Sequence, residues 1–150
     1  MKKIFYKNLE GIRTLSEEGH SVHGYITEDN GELVPYIDTD VNVIHPVTFH
    51  TETKNIPSAR DLLDVMENYN KSLVFTKTGI WELSAKKWKR LPSVKLFTEK
   101  YNEIWDRVNT KNLKNLRKCI ALTLKLVKKS LKLTMKFTPW RTVKGRGLKI

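Results

Sequence analysis

The sequence predicts an α+β fold: a small mixed hairpin and helix domain, then a basic amphipathic helical region and a tail. Three observations predict it. Turn signals at Asp29-Asn30-Gly31 and Lys77-Thr78-Gly79 separate short runs of β-forming residues. Apolar residues recur at spacings of three and four from Val94 to Val108. All surplus positive charge lies in the last third. Residues 1–106 hold 14 Lys+Arg and 16 Asp+Glu, a balance of −2. Residues 107–150 hold 14 Lys+Arg and no carboxylate, a balance of +14, which together gives the chain its +12.

The elements follow in order. Leu9 to Glu18 reads as a short helix closed by Gly19. Tyr25-Ile26-Thr27 and Leu33 to Ile37 flank the Asp29-Asn30-Gly31 turn as a hairpin. Pro35 cannot donate to a ladder, so its strand belongs at an edge or a bulge. Val41 to Thr51 is a further strand, interrupted by Pro46. Pro57-Ser58 begins a helix, with Ser58 as N-cap and Asp61 near the positive end of the dipole. Leu62, Leu63, Met66 and Tyr69 form its apolar face. Leu73 to Thr76 and Ile80 to Leu83 form a second hairpin. Pro92-Ser93 starts the helix carrying Val94, Phe97, Tyr101, Ile104 and Val108. The phase slips at Asn109-Thr110, which marks a bend or a new helix. These signals divide the chain into an α+β domain over 1–91, a helical basic region over 92–138 and a basic tail over 139–150.

Composition sets bounds on function. At 150 residues the chain can bury a core without staples. Its single cysteine, Cys119, excludes an internal disulfide framework and an all-cysteine metal site. No oxidising compartment is needed, so an intracellular, non-secreted protein is expected. Met1-Lys2-Lys3 is followed by too short an apolar run for a signal peptide, and no stretch of about 18 apolar residues could span a bilayer. The 21 lysines against three alanines suit an AT-rich genome, which many bacteriophages have.

The basic segment resolves on a helical wheel. With Leu113 at zero, Leu116, Ile120, Leu124, Val127, Leu131 and Met135 fall within about 60° of it. Lys111, Lys114, Lys118, Lys125, Lys128, Lys129, Lys132 and Lys136 fall in one wedge of roughly 60° to 160°. Cys119, Leu122, Leu126, Leu133 and Phe137 make a second apolar arc. Alternation over Leu122 to Leu126 and Leu131 to Phe137 also fits a β-hairpin turning at Val127 to Ser130. The Leu/Lys-rich content favours helix up to Ser130 and does not discriminate beyond it.

A carboxylate-free block of positive charge calls for an anionic partner. Lysine and arginine release counterions from phosphates without needing a sequence motif. The expected nucleic-acid contacts are Lys118, Lys125, Lys129, Lys132, Lys136, Arg141, Lys144 and Arg146, with Trp140 available to stack on a base. The alternative for these lysines is a solvated helix face, against which the absence of mixed signs argues.

Other groups carry weaker signals. His20, His23, His45 and His50 cluster with Asp38, Asp40 and Glu52, and histidine with carboxylate could hold zinc or iron. The spacing matches no metal motif, and strand alternation sends His45 and His50 to opposite faces unless Pro46 adds a bulge. Ordinary surface or core histidines are the simpler reading, so no metal and no cofactor are expected. Cys119 shares an apolar arc and reads as a small buried hydrophobe. Trp88, between Lys86, Lys87, Lys89 and Arg90, fits either an anion contact or a cap on the core. No phosphate loop, HExxH, GxSxG or CxxC is present.

The reading is a non-enzymatic basic protein, a structural or accessory component of a nucleoprotein assembly such as a virion or ribosome-like particle. Its partner is nucleic acid, bound without sequence preference, or acidic protein. One alternative is a peripheral membrane-surface protein using the basic amphipathic helix. A second is a small metalloenzyme built on the region from His20 to Glu52.

Overall fold

The computed structural model describes residues 3–4, 6–27, 31–36, 45–52, 54–68, 70–85, 93–106, 113–130, 133–143 and 148–149. Among these, a mixed sheet of six strands is covered by helices on both faces. The expected α+β class is what the chain adopts.

The first helix, α1 (Tyr6–Glu17), ends as its sequence requires. Gly19 takes φ 79°, a left-handed conformation that costs glycine little, and its amide donates to the Ser16 carbonyl. The hairpin of β2 (His23–Ile26) and β3 (Leu33–Pro35) pairs Ile26 with Leu33. Pro35 lies on the outer strand of the sheet, where its missing donor does no harm. Gly24 faces Pro35, and a Cβ there would come within 2.0 Å of the Val34 carbonyl oxygen.

Strand β4 (Val47–Thr51) pairs antiparallel with β2 and parallel with β5 (Lys71–Phe75). A parallel neighbour requires a crossover, and α2 (Ala59–Asn68) supplies it. Ser58 and Asp61 cap α2 reciprocally. The Ser58 amide donates to Asp61 Oδ2 at 2.8 Å, and the Asp61 amide donates to Ser58 Oγ at 3.1 Å. Strand β6 (Gly79–Ala85) completes the second hairpin with β5.

Helix α3 (Val94–Asp106) starts at Ser93, whose Oγ accepts from the Leu96 amide. Helix α4 (Leu113–Ser130) confirms the helical alternative up to Ser130. Beyond it the alternation prevails: Leu133–Pro139 is a strand, β7, paired antiparallel with β6 from Gly79–Pro139 to Ala85–Leu133. A helical region running to 138 is therefore corrected; these residues form an edge of the sheet. Short strands β1 (Lys3–Ile4) and β8 (Leu148–Lys149) pair with each other.

Period-two alternation divides the core. On one face Val74, Trp81, Leu83 and Leu133 meet Leu62, Met66, Phe97, Tyr101 and Val127 from α2, α3 and α4. On the other, Phe49, Leu73, Phe75 and Ile80 meet Leu9 and Ile12 of α1. After β7 the chain turns through Trp140–Thr142, and Trp140 and Val143 join the α1 side. Cys119 is buried, as its apolar arc implied, with Sγ 3.8 Å from the Ile104 carbonyl oxygen.

Candidate functional site

Helix α4 carries its charge where the wheel put it. Leu116, Cys119, Thr123 and Val127 are buried, while Arg117, Lys118, Lys125, Lys128 and Lys129 are exposed. The two apolar arcs together make the buried side, against α3 and β7. Leu122 remains 44% exposed on the edge of the basic face.

Arg117 continues that face into a cavity of about 280 Å³ at the open edge of the sheet. Arg13 of α1, Lys77 in the β5–β6 turn, Arg117 and Arg141 surround it. Phe137, Pro139 and Trp140 contribute an apolar wall. Among the described residues, only Arg13 of the four cations has an ion pair, with Glu17 at 2.9 Å. Its guanidinium also lies 5.4 Å from the centre of the Trp140 ring. The site is thus a concave basic pocket with an apolar lining, chemistry suited to a phosphate joined to a less polar group.

The expected contact residues divide. Lys118, Lys125 and Lys129 share the exposed face of α4. Arg141 is exposed at the pocket. Lys136 is exposed on β7, with Nζ 3.9 Å from Glu82 Oε2, so a carboxylate competes for its charge. Trp140, expected to stack on a base, lies mostly inside the fold. It is only 6% exposed, its ring packs on Phe75, and Nε1 donates to the Thr76 carbonyl at 2.7 Å. Little of the ring is open to a base, and that little lines the pocket. Lys132, Lys144 and Arg146 lie outside the described residues, as do the Trp88 cluster, Asp38 and Asp40.

Arg13 and Lys77 were not visible as candidates. They belong to the charge-balanced part of the chain and reach the pocket only through folding. The one available signal was that Lys77 stands in a turn, where a cation has no helical or strand neighbour to pair with.

A second cavity of about 260 Å³ lies on the opposite part of the sheet, between α2 and strands β2 and β4. His23, Tyr36, His50, Asp61, Asp64 and Asn70 are among its lining. His23 and His50 are directly paired across the strands. His50 Nε2 is 3.1 Å from Asp61 Oδ2 and 4.0 Å from Glu52 Oε2. Burial raises the Asp61 carboxyl, but the hydrogen bond and charge of His50, with bonds to Ser58, outweigh this and hold it below its ordinary value. Burial raises Asp64, and Arg60, 3.0 Å away, only partly offsets it.

The other histidines behave differently. His45 stacks on Tyr25 at 3.9 Å, which brings it to the face that carries His50. His45 and Pro46 precede β4, so strand alternation, which the sequence made conditional on Pro46, does not decide the side His45 takes. His20 is exposed and sits 3.4 Å from Glu18.

Comparison with protein-family models, with curated proteins and with solved structures yields no match. Function therefore rests on these two sites. No helix among the described residues is long and apolar enough to cross a membrane.

Proposed function

We propose that the protein binds nucleic-acid backbone without sequence preference, as a non-enzymatic structural or accessory component of a nucleoprotein assembly. An intracellular particle or a virion is the fitting setting. One observation carries this reading: the exposed face of α4 (Arg117, Lys118, Lys125, Lys128 and Lys129) runs through Arg117 into the pocket of Arg13, Lys77 and Arg141. A polyanion can follow a connected track of cations; a solvated face would mix signs. The apolar side of α4 supports nucleic acid over lipid. A helix lying in a membrane surface inserts that side among acyl chains. Here the sheet and α3 already cover it.

The test is fluorescence anisotropy with labelled random-sequence DNA and RNA, single- and double-stranded, over a salt series. Affinity is expected to fall steeply with salt and to vary little among sequences. Absence of binding at low salt, or binding insensitive to salt, overturns the proposal. Binding to anionic vesicles but not to polynucleotide would favour the membrane-surface alternative.

A further inference from the structure

His50, Glu52 and Asp61 converge from two rigid elements. His50 lies within β4, which has a strand on either side. Asp61 stands in the first turn of α2 and is fixed by its reciprocal bonds with Ser58. Glu52 follows β4 and is tied by its amide to the Phe75 carbonyl. One ligand atom from each of the three lies within 4.8 Å of the other two. Ligands held about 2.0–2.2 Å from one ion stand about 3–4 Å apart. The observed 3.1 and 4.0 Å therefore need little adjustment.

Charge points the same way. Both carboxylates are partly buried and face a single imidazole. Among the described residues neither Glu52 nor Asp61 has a lysine or arginine partner. The group is net negative whichever protonation state His50 takes. Such a pocket of negative charge stands out in a chain of net +12. An ion would take the place of the His50 hydrogen bond at Asp61 Oδ2, while the Ser58 amide that caps the helix can stay on the other lone pair of that oxygen. The neighbouring cavity has room for further ligands, and in its wall Asn70 Oδ1 is buried without a hydrogen-bond partner. Water on a bound ion would supply donors there.

We propose that His50, Glu52 and Asp61 bind one divalent transition-metal ion of the zinc or manganese class, with its open coordination positions facing the cavity beside α2. One nitrogen and two oxygens suit a borderline ion better than a soft thiolate-seeking one. Three protein ligands leave positions for water or a small ligand, as in open rather than closed sites. The site is independent of the basic face.

Isothermal titration of the full chain, stripped with chelator, tests this with zinc, manganese and magnesium salts. One equivalent of zinc or manganese is expected to bind, with magnesium weaker. His50→Ala and Glu52→Gln are each expected to weaken binding by at least about tenfold. His20→Ala is expected to bind as the parent does. Circular dichroism checks folding, and Glu52→Gln preserves shape if His50→Ala does not fold. No stoichiometric binding by the parent overturns the proposal. So does binding that survives both substitutions, or that is lost in His23→Ala but retained in His50→Ala. Because no polynucleotide is present, these outcomes leave the anisotropy result untouched.

Discussion

Glu82 on β6 stands directly opposite Lys136 on β7, with its Oε2 3.9 Å from the lysine Nζ. The pair is unequal. Lys136 is exposed, whereas Glu82 is buried and its Oε2 has no hydrogen-bond partner among the described residues. Burial raises the Glu82 carboxyl above its ordinary value, and Lys136 and Lys71 offset only part of that. A group whose folded-state value is raised holds its proton more tightly when folded. It costs nothing below the unfolded value, and its cost grows until pH passes the folded value. Glu82→Gln should therefore stabilise the protein at neutral pH by about 1 kcal/mol, roughly 2–4 °C in Tm. Thermal unfolding across pH 4 to 7.5 checks this; the gain should shrink toward the acid end.

Trp140 links the end of β7 to α1. Its ring lies among Phe75 and the α1 side of the core, and its indole N–H satisfies the Thr76 carbonyl. Trp140→Ala should cost about 3–5 kcal/mol. Trp140→Phe keeps most of the packing and loses the hydrogen bond, at about 1–2 kcal/mol. Denaturant unfolding measures both. Polynucleotide affinity of Trp140→Phe should stay near that of the parent, not drop by the 1–3 kcal/mol per base typical of a stacking platform.

Much of the architecture could be read from local signals. Proline, serine and glycine punctuated the chain where helices start and hairpins turn, and heptad-like spacing marked α3 and α4. Residues 131–137 resisted because alternation and helical stripe describe the same Leu/Lys pattern equally well. The partner strand β6 decides between them, and no local residue reports its presence. The basic pocket resisted for a similar reason. Arg13 and Trp140 are far apart in the chain and meet only once β7 closes the sheet edge. Asp61 was visible as a helix-start carboxylate, but not as a neighbour of His50, because that contact depends on the β4–α2–β5 crossover.

The cations of α4 should show as charge in a salt titration. Each phosphate contact contributes about 0.7–0.9 to the slope of log affinity against log salt. Replacing Lys118, Lys125 and Lys129 together with glutamine should reduce that slope by roughly two to three. Stability should change little, since all three are exposed. Arg117→Gln should weaken binding as well, because that residue belongs to both the helix face and the pocket. A triple variant with an unchanged slope would place the contact elsewhere.

The cap of α2 gives a pH-dependent counterpart to Glu82. Ser58→Ala removes the acceptor of the Asp61 amide and should cost about 1 kcal/mol. Most of that loss is the amide's missing acceptor and is independent of pH; only the share the Ser58 hydroxyl gives to the Asp61 carboxylate titrates. Asp61→Asn instead removes a carboxylate that His50 and Ser58 hold below its ordinary value. Its contribution is present above the unfolded value, near 3.8, and is lost as pH falls through the depressed folded value. The two variants should therefore part company in acid. Ser58→Ala stays destabilised relative to the parent, while the Asp61→Asn deficit at neutral pH closes as the parent's own Asp61 protonates. Thermal melts from pH 7 down to about 2.5 separate them, on the condition that the parent still unfolds cooperatively at the low end. A deficit for Asp61→Asn that is flat across this range would mean that the carboxylate acts through its shape and not its charge.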